Sequence, residues 1–161
     1  MNRQHGLSMI EMIITMVVIS IALVASLSSF SLIGGRSADA MIQTKSLDLA
    51  QLYLDEILAQ RFDEATGNGG IPAYTGACRI TDDGESRSDY DDVDDYDAIS
   101  NEQPALIDSS LSTLYSGYTV SVSVSCDNTV GANTGGSKRI QITINDPTGD
   151  SSVFASFRGN Y

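Results

Sequence analysis

The stretch GLSMIEMIITMVVISIALVAS, residues 6–26, decides the fold of the N-terminal part of the chain. No charged side chain occurs between Met12 and Gly35, so this apolar segment is long enough to cross a lipid bilayer as one helix. Glu11 directly precedes the uncharged segment. A carboxylate in the first turns of a membrane helix costs about 3 kcal/mol where it reaches hydrocarbon depth, so it needs a partner or a function.

The N-terminus does not have the arrangement of an ordinary secretory signal. Such a signal places its apolar stretch ahead of a cleavage site with small residues, whereas here Gly6 comes before the apolar stretch. Hydropathy alone favours an uncleaved anchor. Cleavage between Gly6 and Leu7 would instead create a charged α-amino group, and its pairing with Glu11 of a neighbouring subunit would offset the desolvation cost.

Residues 6–11, followed by an apolar helix, closely resemble the leader of type IV prepilins and pseudopilins. The resemblance implies cleavage after Gly6 by a prepilin peptidase, N-methylation of the new terminus at Leu7, and a role for Glu11 in subunit assembly. The family usually has phenylalanine at the position of Leu7, which bears on the methylation more than on the cleavage.

The resemblance also implies an α+β type IV pilin fold, in which a long N-terminal helix packs on a small antiparallel β-sheet. The predicted segments are a leader peptide (1–6), a transmembrane and filament-core helix (7–35) and a periplasmic head (36–161). The head is divided into an amphipathic helix (36–64), a connecting loop with an acidic insert (65–110) and an antiparallel sheet (111–161).

The charge of the chain and the resemblance together predict the cellular location of the protein and its partners. The formal net charge of −12 repels phosphate backbones, so no nucleic-acid binding is expected. Arg3 gives the apolar stretch a positive flank, which keeps the N-terminus cytoplasmic and the C-terminus periplasmic. We therefore expect a single-pass inner-membrane protein that later enters an extracellular pilus. Its partners would be other pilin subunits, the prepilin peptidase and the pilus assembly platform.

Helical periodicity continues after the glycine pair Gly34-Gly35 and predicts an amphipathic helix that stops near Gly67. The pair marks either a kink or melted segment, or a close contact between packed helices. Strict alternation from Tyr118 to Cys126 predicts a half-buried strand. Two further strands, around residues 140–144 and 153–157, complete an antiparallel meander.

Cys78 and Cys126 are the two cysteines of the chain. In an oxidising compartment two such cysteines tend to form a disulfide, which here would close a loop of about 49 residues and stabilise the head by about 4 kcal/mol. The alternative is one buried and one exposed thiol.

Acidic residues are concentrated in one segment of the predicted head. Residues 82–97, the acidic insert, hold nine of the 21 acidic residues: Asp82, Asp83, Glu85, Asp89, Asp91, Asp92, Asp94, Asp95 and Asp97. The candidate ligands for calcium, which prefers six to eight oxygens, are Asp89, Asp91, Asp92, Asp94, Asp95 and Asp97. Their spacing does not match an EF-hand, and the alternative is a solvated loop anchored by Tyr90, Val93 and Tyr96. No other cofactor is expected.

The insert also favours one subfamily. Residues 89–96 (DYDDVDDY) and 157–161 (FRGNY) resemble the minor pilins of mannose-sensitive haemagglutinin (MSHA) pili. This implies a minor subunit that supports pilus assembly and surface attachment. The alternative is a pseudopilin of a type II secretion system, which the leader does not distinguish from a pilin. An enzyme is not expected, because the single histidine, His5, lies in the leader and leaves no histidine base beside a nucleophile.

Overall fold

A computed structural model describes residues 8–67, 70–104, 110–131 and 135–160, with the backbone alone for residues 31–36. The elements in chain order are helix α1 (Met9–Ala59), a short 3-10 helix (Asp95–Ala98), helix α2 (Leu111–Leu114), and strands β1 (Thr119–Asp127), β2 (Ser137–Asn145) and β3 (Ser151–Gly159). This confirms the predicted α+β fold.

The chain forms two compact units, and α1 contributes to both. The first unit ends at Met41 and the second comprises Ile42–Tyr161. The backbone of Gly34 and Gly35 is helical, so the glycine pair is not a melted segment.

The three strands form an antiparallel meander in the order β1-β2-β3, as predicted. Val120 lies opposite Ile144 across the first pair, and Ile142 lies opposite Phe154 across the second. The free edge of β1 is partly covered by the segment that follows the 3-10 helix, because Val122 donates its N–H to the carbonyl of Ile99 at 3.0 Å.

The hydrophobic core of the second unit lies between α1 and one face of the sheet. Alternate residues of each strand face inward because successive side chains of a strand point to opposite sides. The helix contributes residues at helical spacing, which is the amphipathic pattern expected from the sequence. The buried core residues of these elements are Leu49, Ala50, Tyr53 and Ile57 from α1, Val120, Val122 and Val124 from β1, and Ile140, Ile142 and Ile144 from β2.

Helix α1 ends at Ala59, earlier than the predicted boundary at residue 64. The cause is a contact distant in sequence: Arg61 donates its backbone N–H to Asp91 at 3.3 Å and accepts one from Val93 at 3.1 Å. These bonds draw the Arg61 backbone out of the helix. The sheet likewise begins at Thr119, since α2 occupies part of the segment predicted to belong to it.

Cys78 and Cys126 form the predicted disulfide, which joins the connecting segment to the end of β1. The bond spans 48 positions in sequence. It therefore ties the loop that carries the acidic insert to the sheet.

Candidate functional site

The apolar part of α1 is suited to a nonpolar surrounding. Residues Met9–Phe30 are long and apolar enough to cross a membrane by length and composition. Each of their large apolar side chains is more than half exposed within this chain. Apolar surface of this extent is stable when lipid or other protein covers it.

The hydroxyl groups in this segment are satisfied by the helix itself. Ser20 donates to the carbonyl of Met16 and Ser26 to that of Ala22, both at 2.8 Å. The same type of bond is made by Thr15, Ser28 and Ser29. Because hydrocarbon offers no hydrogen-bond partners, these internal bonds allow five polar side chains to enter it at low cost.

Glu11 lies in the first turn of α1 and is exposed. Its backbone N–H donates to the carbonyl of Ser8 at 3.0 Å. The unpaired N–H groups of a helix N-terminus carry partial positive charge and therefore favour a negative side chain such as that of Glu11. Gly6 and Leu7, the predicted cleavage and methylation positions, lie outside the described residues.

The second unit contains a buried cation that the sequence reasoning missed. Lys138 on β2 is fully buried, and its Nζ lies 2.5 Å from Oδ1 of Asp94 and 4.0 Å from Oδ2 of Asp63. It also donates to the carbonyl of Phe62 and lies 4.6 Å from the centre of that ring. Burial raises the pKa of Asp94, and Lys138 acts in the opposite direction. A buried charge with such partners is a structural anchor.

The sequence carried a signal for this anchor. Lys138 is two positions from Ile140, so it occupies an inward-facing position of β2. An inward lysine requires a buried acid, and the acidic insert is the obvious source.

A second ionic cluster joins the insert to α1. Arg87 pairs with Glu56 at 2.7 Å and with Glu102 at 3.2 Å. Two buried tyrosines complete the cluster, since Tyr53 donates to Glu102 at 2.8 Å and Tyr96 donates to Glu56 at 3.0 Å. Burial is the main cause that raises the pKa of Tyr96 to about 12, and it raises that of Tyr53 as well.

The central part of the acidic insert belongs to the folded core of the second unit. Asp92, Asp94 and Asp95 are buried, as are Val93 and Tyr96. The burial of the three aspartates differs from the solvated loop expected as the alternative. Its three anchors are as expected, because Tyr90 is half-buried against the core and its ring lies 5.2 Å from that of Tyr96.

The six predicted calcium ligands have separate contacts. Two of them form ion pairs, Asp91 with Arg61 and Asp94 with Lys138. Three accept backbone N–H groups: Asp92 from Asp94, Asp95 from Asp91 and Asp92, and Asp97 from Val124. Asp89 accepts a hydrogen bond from the Ser86 hydroxyl. Among the described residues, one group of three carboxylates has the spacing that a metal ion would require, namely Asp83, Glu85 and Asp95. Asp95 is the one member of this group that was among the six predicted ligands.

Comparison with known families identifies the class of the N-terminal segment. Residues 1–27 match the family described as the prokaryotic N-terminal methylation motif. No curated protein and no solved structure matches the chain.

The methylation motif indicates a type IV pilin or pseudopilin. This class is structural rather than enzymatic, is processed by prepilin peptidase, and assembles into a filament with other pilins. The motif and the apolar helix fit a membrane-anchored precursor that later joins the filament.

Proposed function

We propose that this chain is a minor structural subunit of a type IV pilus of the MSHA type and supports pilus assembly and surface attachment. The observation that carries the assembly role is the exposed apolar helix with Glu11 in its first turn. The subfamily proposal, a subunit like the minor pilin MshD, rests on the sequence of residues 89–96 and 157–161.

We infer the following route to the filament. The precursor lies in the inner membrane with its C-terminal unit in the periplasm. Prepilin peptidase then cleaves between Gly6 and Leu7, and Leu7 becomes N-methylated. In the filament the apolar segments of neighbouring subunits cover one another and replace the lipid.

Glu11 sets the position of the subunit in this packing. The cationic α-amino group of Leu7 in one subunit meets the Glu11 carboxylate of its neighbour. Since both charges leave water when the helices pack, each is tolerable only with the other. The pair therefore selects one axial stagger between adjacent subunits.

The pairing is tested by Glu11→Gln, which removes the charge and keeps the size of the side chain. We expect normal membrane insertion and a reduction of about tenfold or more in the amount of the subunit in sheared filaments, because losing 1.4 kcal/mol corresponds to about a tenfold change. Asp39→Asn is the matched control, as Asp39 is an exposed acid on the same helix outside the apolar segment. Equal incorporation of both variants would refute the pairing.

A deletion strain distinguishes the pilus from the alternative secretion pseudopilus. A minor pilin of the MSHA type predicts loss or shortening of surface pili with normal release of secreted enzymes. The opposite result would assign the chain to a type II secretion system.

A further inference from the structure

Three carboxylates of the acidic insert meet in the second unit: those of Asp83, Glu85 and Asp95. Their ligand oxygens all lie within 4.8 Å of one another. Asp83 and Glu85 are exposed, whereas Asp95 is 5% exposed. Negative charges at this separation repel one another unless a proton or a cation lies among them.

The carboxyl group of Asp95 is held in a fixed orientation. Its Oδ2 accepts the backbone N–H groups of Asp91 and Asp92, both at 3.0 Å. The other oxygen, Oδ1, is buried without a hydrogen-bond donor among the described residues. The carboxyl groups of Asp95 and Asp83 lie within hydrogen-bonding reach of each other, an arrangement that two ionised carboxylates can keep only with a proton or a cation between them. A buried oxygen of this kind needs a partner, and its neighbours here are themselves acceptors.

The nearby basic side chains have other partners. Within the part of the chain that the structure describes, no ion pair involves these three carboxylates. The basic residues around the insert form the pairs Arg61–Asp91, Arg79–Asp63, Arg87–Glu56 and Lys138–Asp94. A protein cation therefore does not neutralise the cluster.

We propose that Asp83, Glu85 and Asp95 bind a calcium ion. The ligands are all carboxylate oxygens, which hard cations prefer. Two of them are exposed, so water can supply the further oxygens that complete a coordination number of six to eight. Magnesium requires a nearly ideal octahedron, and this mixed set of one fixed and two exposed carboxylates does not impose one.

The ion would connect two parts of the insert. Asp83 and Glu85 lie in the irregular segment before Arg87, whereas Asp95 begins the 3-10 helix. Calcium would tie that segment to the helix next to Asp94, the partner of Lys138. The site is independent of Glu11, so its test does not depend on the proposed assembly role.

The test measures thermal unfolding of the full-length chain in detergent, after removal of divalent ions and again with millimolar calcium. When calcium exceeds its Kd about tenfold, we expect the Tm to rise by roughly 5 °C. Asp83→Asn and Glu85→Gln should each abolish most of this rise. Both residues are exposed, so these variants retain the core. Without calcium, each should melt at or above the wild-type Tm because a repulsive charge has been removed.

Asp82→Asn is the matched control. It removes the same charge one residue away from the cluster and keeps the side-chain oxygen that accepts the Gly84 N–H. This variant should keep the full calcium response. The proposal is overturned if millimolar calcium leaves the wild-type Tm unchanged, if the response survives in Asp83→Asn and Glu85→Gln, or if magnesium gives the same rise.

Discussion

The two parts of helix α1 differ in the burial of their apolar side chains. In residues 9–30 the large apolar side chains are exposed, whereas Leu49, Tyr53 and Ile57 are fully buried against the sheet. One continuous helix thus includes a segment without a core of its own and a segment that completes one. The first must obtain its burial from lipid or from other subunits, while the second obtains it within the chain.

Polar groups differ in the same way. In the apolar segment the hydroxyls bond to carbonyls three or four residues earlier, so their satisfaction is local. In the second unit the buried charges find partners distant in sequence, as Lys138 does with Asp94. Single substitutions should consequently destabilise the second unit far more than the apolar segment.

Removal of the buried cation should have the largest effect. Lys138→Met leaves Asp94 buried without its partner, and we expect a loss of roughly 3–5 kcal/mol in the free energy of unfolding. Urea unfolding of the full-length chain in detergent, followed by circular dichroism, measures it. Arg139→Met, on the next residue and the other face of β2, should cost less than about 0.5 kcal/mol. Similar losses in the two variants would contradict an anchoring role.

Opening the disulfide should come next. The double substitution Cys78→Ser and Cys126→Ser releases a loop of about 49 residues and should lower the free energy of unfolding by about 4 kcal/mol through loop-closure entropy. The same urea experiment measures this loss. Reductant should destabilise the wild type by a similar amount and leave the double variant unchanged. A wild type insensitive to a reductant that fully opens the bond would refute this contribution.

A matched pair of leucines compares the two parts of α1 directly. Leu49→Ala creates a cavity in the core and should cost about 3 kcal/mol. Leu23→Ala, on the exposed apolar segment, should leave the unfolding of the second unit unchanged. The measurement is thermal unfolding of both variants in the same detergent. A comparable fall in Tm for Leu23→Ala would mean that the apolar segment contributes to the core.

Much of the fold could be predicted because its signals are periodic. The uncharged segment, the alternation in β1 and the inward isoleucines of β2 each repeat a local rule, and local rules need no knowledge of distant residues. The end of α1 at Ala59 could not be predicted in this way. It depends on backbone bonds between Arg61 and the insert, which lies about 30 residues further along the chain.

The acidic insert shows the same limit for a candidate site. A dense run of acids predicts solvation or a metal, and the sequence does not say which carboxylates turn inward. Asp94 is buried in an ion pair with Lys138. Asp95 instead accepts the backbone N–H groups of Asp91 and Asp92, so these two predicted ligands have different partners. The resulting cluster includes Asp83 and Glu85, which were not among the six predicted ligands. Only the three-dimensional path of the loop brings them beside Asp95.

The smallest expected effect concerns alkaline pH and the buried tyrosines. Burial, followed by the hydrogen bond to Glu102, raises the pKa of Tyr53 above its ordinary value. The unfolded chain therefore releases this proton near pH 10 while the folded chain retains it, so stability falls as the pH rises above about 10.

Tyr53→Phe should cost about 1 kcal/mol at neutral pH through the lost hydrogen bond, and it should reduce the fall in stability above pH 10. Urea unfolding across this pH range, with phenolate absorbance to follow ionisation, measures both effects. Tyr74→Phe is the control, since Tyr74 is half-buried outside this cluster. If Tyr53→Phe keeps the wild-type slope, the phenol at position 53 ionises equally in both states. The buried hydrogen bonds of the second unit would then not couple residues that are distant in sequence. That coupling is the feature that distinguishes this unit from the apolar segment.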